Sequence, residues 1–154
     1  MATLRLTQDF KEFLSLLNQN GIEYLLIGGY AVCVYGHVRP TKDLDVWVAT
    51  DPANLSRLRE VLHNFGFSRD TLPNPLFEPP RTLLRMGVPP NRLQVLSEIA
   101  GVTFADCFAR RSIMELDGIK VPVINLDDLK RNKSSTGRAG DLADVQKLEK
   151  LARQ

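Results

Sequence analysis

Asp43 and Asp45 stand one residue apart where an apolar run begins, Leu44-Asp45-Val46-Trp47-Val48. Residues two apart on a strand point to the same side, so the two carboxylates can share one hard cation. Upstream, a second apolar run ending in Leu26-Ile27 delivers Gly28-Gly29 to the start of a helix. Without side chains, that turn leaves room for a phosphate against exposed backbone N–H groups at the helix N-terminus. A cation site beside a phosphate cradle is the equipment of nucleotidyl transfer. Attack on an α-phosphorus builds charge on its oxygens and on the departing pyrophosphate, and two divalent ions roughly 3.5–4 Å apart offset both. Taken alone, a glycine pair is usually a tight turn and an acidic pair a solvated strand end. Their order and spacing together point to function.

The elements that must position these residues are legible in the pattern around them. Leu6, Phe10, Phe13, Leu14, Leu16 and Leu17 recur at helical spacing, with Thr7 or Asp9 as the cap and Asn20-Gly21 as the stop. Ile22 to Ile27 reads as a strand, Gly28 to about Gly36 as a helix, and Leu44 to Ala49 as a second strand. Asp51-Pro52 opens a third helix that ends at Gly66. Pro73, Pro75, Pro79 and Pro80 make the stretch from Asp70 to Pro80 irregular. Arg81 to Met86 and Arg92 to Leu96 pair as a hairpin, and Phe104 to Arg111 is helical. Ser112 to Leu116 and Ile119 to Ile124 form another hairpin around Asp117-Gly118. Two helices follow, Leu126 to about Lys133 and Asp141 to Ala152, separated by the polar, glycine-bearing run from Ser134 to Gly140. The expectation is one α+β domain over residues 1–154 with a small mixed sheet, helices 126–152 packing on its core.

Composition narrows the class. The net charge of +2 is too small to argue by itself for a nucleic-acid partner. Cys33 and Cys107 lack metal-type spacing and read as buried thiols. No segment approaches the ~20 apolar residues that cross a bilayer, and Met1 to Arg5 has no signal-peptide core. The expectation is a cytoplasmic protein without a membrane partner. His37 and His63 read as structural, and Trp47 as core.

At Gly28-Gly29-Tyr30-Ala31, Tyr35-Gly36, Arg39-Pro40-Thr41 and Asp43-Leu44-Asp45 the chain resembles the small nucleotidyltransferases of the DNA polymerase β superfamily. The resemblance is nearest to the branch of AbiEii-type toxins. It is strongest in the N-terminal half, looser from about residue 70 to 110, and returns in the tail. It implies a nucleotidyltransferase-like fold, an NTP substrate and Mg²⁺ (or Mn²⁺) held by Asp43 and Asp45. It also implies phosphate cradling by Gly28, Gly29 and the N–H of Tyr30. The acceptor would be RNA or protein, with a partner protein if the chain belongs to a toxin–antitoxin pair.

Members that turn over carry a third carboxylate on a later apolar strand. Here Arg92-Leu93-Gln94-Val95-Leu96 places Gln94 at that position. A neutral amide neither acts as a base nor balances a second cation. The alternative is therefore a catalytically impaired domain that binds a nucleotide or a partner, unless Glu98, four residues on, takes the acid's role. Arg39 either meets the triphosphate or pairs with an acidic neighbour, while Thr41 either orients a carboxylate or caps a loop. The tail residues Asn132-Lys133, Arg138, Asp141 and Asp144 match the family's basic–acidic cluster, with Lys133 and Arg138 as phosphate contacts. The competing reading has Asp141 capping the last helix and Asp144 bridging Arg138.

Overall fold

The computed structural model describes residues 4–152, so residues 1–3, on which part of the leader reading rests, and residues 153–154 lie outside it. Helix α1 (Gln8–Gln19) starts where the Thr7 hydroxyl accepts the Phe10 N–H at 3.2 Å, and it buries Phe10, Phe13, Leu14 and Leu17. Strand β1 (Tyr24–Ile27) is buried at every position and runs directly into α2 (Gly28–Val34). The turn between them needs Gly28, whose φ is +71°. Strand β2 (Asp43–Val48) returns antiparallel to β1. Helix α3 (Pro52–Phe65) is capped by Asp51, whose carboxylate accepts the Asn54 N–H at 3.1 Å. Fully buried Asn54 then ties α3 to the strands by bonding Glu23 N–H and the carbonyls of Glu23 and Ala49.

Strands β3 (Leu83–Met86) and β4 (Arg92–Leu96) form an antiparallel hairpin, followed by α4 (Phe104–Ala109). Strands β5 (Ser112–Leu116) and β6 (Ile119–Val123) form the second hairpin. Its turn residues Asp117 and Gly118 both have positive φ, 50° and 84°, as a type I′ turn requires. Helices α5 (Leu126–Thr136) and α6 (Ala139–Ala152) complete the fold. The six strands make one mixed sheet in the order β3-β4-β2-β1-β6-β5, flanked by helices. This is the expected α+β class.

Several boundaries differ from expectation: β3 starts at Leu83 and not Arg81, α4 ends at Ala109 and not Arg111, and α2 and β6 end at Val34 and Val123, short of Gly36 and Ile124. Ile22 N–H bonds Leu17 C=O, so Ile22 lies in the turn that closes α1, and β1 starts only at Tyr24. Asp43 is itself paired with Arg92 in the β2–β4 ladder, so the first carboxylate lies inside the strand. Most of the run from Ser134 to Gly140 is helical, the break shrinking to Gly137-Arg138. Ser135 and Thr136 hydroxyls donate to the carbonyls of Arg131 and Lys133, which keeps them in the last turn of α5.

The parallel register Asp43↔Arg92, Leu44↔Leu93, Asp45↔Gln94 and Val46↔Val95 sets the site. Side chains alternate, so Leu44, Val46, Leu93 and Val95 go to the core, all at most 1% exposed. Asp43, Asp45, Arg92 and Gln94 share the opposite face. Among the described residues, no helix is long and apolar enough to cross a membrane.

Candidate active site

That polar face forms the floor of a cleft of about 800 Å³. The Gly28–Gly29 turn closes one end, and Lys133, Thr136, Arg138 and Asp141 form a wall from α5 and α6. Leu83, Arg85 and Leu96 extend the floor across β3 and β4, and Ile99 also lines the cleft. The β2–β4 pairing and the chain reversal at α5–α6 thus bring together residues from the beginning, middle and end of the sequence.

On the floor, Arg92 grips Asp43 through one edge of its guanidinium, Nε to Oδ1 at 2.6 Å and Nη2 to Oδ2 at 3.2 Å. Gln94 Nε2 donates to Asp43 Oδ2 at 2.9 Å and to Asp45 Oδ1 at 3.0 Å, bridging the two carboxylates. Its Oε1 accepts from Arg85 Nε at 3.3 Å and Nη2 at 3.1 Å. Only this orientation of the amide serves both neighbours, since carboxylates accept and guanidinium donates. Burial, with the Asp43 charge beside it, pushes the Asp45 carboxyl up to about 7; Lys133, Gln94 and Arg85 pull the other way.

Gln94 therefore occupies the place expected of the third acid. Glu98 is exposed and does not line the cleft, which removes it as a substitute. Among the described residues, no group of three His, Cys, Asp or Glu side chains is placed to hold a metal. The donor set of two carboxylates fits one hard cation completed by phosphate and water oxygens; it does not fit two cations.

At the glycine turn, a Cβ on Gly28 would collide with the Asp45 carboxylate. One on Gly29 would lie 2.5 Å from Thr41 Oγ1 and 3.4 Å from Arg39 Nη1. Packing inside the protein thus already demands both glycines. The Tyr30 ring turns away into the core, edge-on to Phe10 at 5.7 Å between centroids, and Tyr30 is not among the residues that line the cleft. Thr41 Oγ1 lies 3.4 Å from the Asp43 carbonyl, a loop contact and not a carboxylate contact.

The cationic wall is internally paired. Arg39 meets Asp144 through Nε at 3.0 Å and Nη2 at 2.8 Å, so the acidic-neighbour reading describes it, although it also lines the cleft. Buried Lys133 reaches Asp141 at 2.8 Å and Asp144 at 3.1 Å. Arg138 pairs with Asp141, at 2.7 Å, rather than with Asp144. Asp141 sits inside the first turn of α6 and does not cap it. Burial works against both acids. Lys133, Thr136 and Arg138 nevertheless hold the Asp141 carboxyl below the usual carboxylate range, and Arg39 with Lys133 does the same for Asp144. Both cysteines are buried free thiols, and Trp47 is core as expected. His63 bonds the Phe67 carbonyl within its own helix end, and His37 lies 3.9 Å from Asp144.

Sequence reasoning missed Arg85, the Arg92 clamp and the apolar lining residues Leu83, Leu96 and Ile99. The expected hairpin did not reveal the first: pairing its strands end to end, Met86 with Arg92, sets Arg85 opposite Leu93, whereas the observed register is shifted by one residue and sets Arg85 opposite Gln94.

The sheet order and helix placement are those of nucleotidyltransferase structures. The lincosamide antibiotic adenylyltransferase LnuA, solved with lincomycin bound, superposes with a TM-score of 0.62 at 14% identity, covering 96% of this chain and 98% of that one. A putative nucleotidyltransferase from Thermotoga maritima gives 0.60 at 12% identity, over 97% and 96% of the two chains. An antigenic nucleotidyltransferase-like protein from Paracoccidioides brasiliensis gives 0.56 at 17%, over 97% and 79%. At these identities the likeness shows the fold. The chain belongs to the family described as nucleotidyltransferase of unknown function (DUF6036), which matches residues 3–153. No curated protein matches it.

Proposed function

We propose that the chain transfers a nucleoside monophosphate from an NTP to a hydroxyl of an RNA or protein acceptor, with Mg²⁺ or Mn²⁺, as a relative of the polymerase β and AbiEii branch. One observation carries this reading. The glycine turn, the Asp43/Asp45 pair and the basic side chains Arg39, Lys133 and Arg138 meet in a single cleft despite their separation in sequence. Asp43 and Asp45 would hold the cation, which supplies charge neutralisation at the phosphates. Arg92 fixes the Asp43 carboxylate for that task, and the backbone at Gly28, Gly29 and Tyr30 faces the phosphates. In the transfer the acceptor oxygen bonds to the α-phosphorus as the bond to pyrophosphate breaks. The acceptor's proton leaves to solvent or to a floor carboxylate, because the Gln94 amide takes none.

A second reading has its own support: the Gln94 amide bridging both carboxylates favours a nucleotide- or partner-binding domain that no longer turns over, as in a component of a toxin–antitoxin pair. Transfer of label from NTP to bulk RNA, to total protein and to small hydroxylated molecules separates the two. The last arm is included because LnuA, of similar span, is an antibiotic adenylyltransferase. Under the first reading wild type transfers label and Asp43→Asn with Asp45→Asn abolishes it. Under the second, wild type is silent, and Gln94→Asp restores transfer by about 10²–10⁴-fold, the usual contribution of a general base.

A further inference from the structure

Asp45, Gln94 and Arg85 form one row across three adjacent strands. Asp45 pairs with Gln94 in the β2–β4 register, and Gln94 pairs with Arg85 in the β4–β3 register. Partners in register project to the same side, so Arg85 reaches the cleft floor from the edge strand and lines the cleft. The hydrogen-bond partner of its guanidinium among the described residues is Gln94 alone. Arg85 is also exposed at this position, so its charge is available to a ligand.

The charge arithmetic gives this row a meaning. A third carboxylate with a second dication would leave one net positive charge on that side of the pair. A neutral amide with a guanidinium leaves the same. We propose that the cleft binds its nucleoside triphosphate with a single divalent cation, held by Asp43 and Asp45, and that the Arg85 guanidinium neutralises the phosphate charge a second cation would otherwise meet. Gln94 is the link: its Nε2 holds the two carboxylates together, and its Oε1 holds Arg85 beside them. A guanidinium suits the task because it is always charged and meets phosphate oxygens with two donors. The second cation has no carboxylate of its own here, so Arg85 is a specificity-determining residue for the metal content of the complex.

This inference rests on nucleotide binding in the cleft, and the test separates the two. Wild-type protein saturated with a non-hydrolysable ATP analogue is titrated with Mn²⁺ and followed by electron paramagnetic resonance. One Mn²⁺ per chain with an uncoupled spectrum is expected. Gln94→Asp should take up a second, spin-coupled Mn²⁺. Arg85→Gln should weaken analogue binding about 10–100-fold at saturating Mn²⁺, as loss of a charge-assisted contact does, with Arg85→Lys recovering part of it. Two coupled Mn²⁺ in wild type, or full affinity in a folded Arg85→Gln, overturns the single-cation assignment and leaves nucleotide binding standing. Failure of wild type to bind the analogue at all overturns both.

Discussion

Burial and the neighbouring Asp43 charge hold the Asp45 carboxyl near 7, against about 3.9 for an unfolded chain. Because the folded value is raised, the protein loses stability as pH climbs from about 4 through 7, and above 7 the cost of the buried charge is complete. Asp45→Asn removes the ionisation while its amide oxygen still accepts from Gln94. In metal-free buffer the variant should therefore melt higher than wild type at pH 8, by roughly 5–10 °C for a cost on the order of 2–4 kcal/mol. The gain should shrink at pH 5, and an equal gain at both values would refute the electrostatic explanation. At this scale the sequence was informative about residue type and poor about pairing. The spacing of Asp43 and Asp45 showed that they share a side, and their family context pointed to Gln94. Nothing in the local pattern showed that Arg92 clamps Asp43, or that Arg138 chooses Asp141 over Asp144, because those choices depend on distances between elements.

The turn from β1 into α2 works as a unit with the loop that leads into β2. Gly28 abuts Asp45, and Gly29 abuts Thr41 and Arg39, so side-chain volume is missing on one segment because the other already fills it. Gly29→Ala should cost about 1–3 kcal/mol of stability by overpacking. Thr41→Ala in the same chain should return part of it by removing the nearer of the two clashing atoms. Urea unfolding of the four proteins in a double-mutant cycle measures that coupling, and strictly additive effects would rule out the contact. Most elements were readable because each carries its own punctuation: Thr7 and Asp51 as caps, Asp117-Gly118 as a hairpin turn, and alternation in β2 and β4. The run from Ser134 to Gly140 misled because Ser, Thr and Gly usually mark a loop. Here the hydroxyls bond back into α5, and the chain pauses for only two residues.

Across the whole molecule, α6 is held to the sheet side by Asp144, which is buried between Arg39 and Lys133. Its carboxyl lies below the usual range in the folded state, since the two cations outweigh the burial. With the folded value depressed, this contribution is whole above the unfolded pKa of about 3.9 and disappears as pH falls through the lower folded value. Asp144→Asn should destabilise the protein by about 3–5 kcal/mol at pH 7, as breaking a buried pair does, and should flatten the loss of stability below pH 4. Denaturant unfolding at pH 7 and at pH 3 checks both, and a variant with the same acid slope as wild type would contradict the assignment. The α+β class was legible from the alternation of elements, but the order β3-β4-β2-β1-β6-β5 was not, since it depends on which strand edges meet. The link from Arg39 to Asp144 also sets a schedule. It joins positions 105 residues apart, and loops of that span close late and slowly. While the chain is being synthesised, the glycine turn, both floor carboxylates and the six strands exist before α6 does. A nascent chain therefore carries the floor of its cleft and the cations of the wall before Asp141 and Asp144 arrive with the last helix to pair with them.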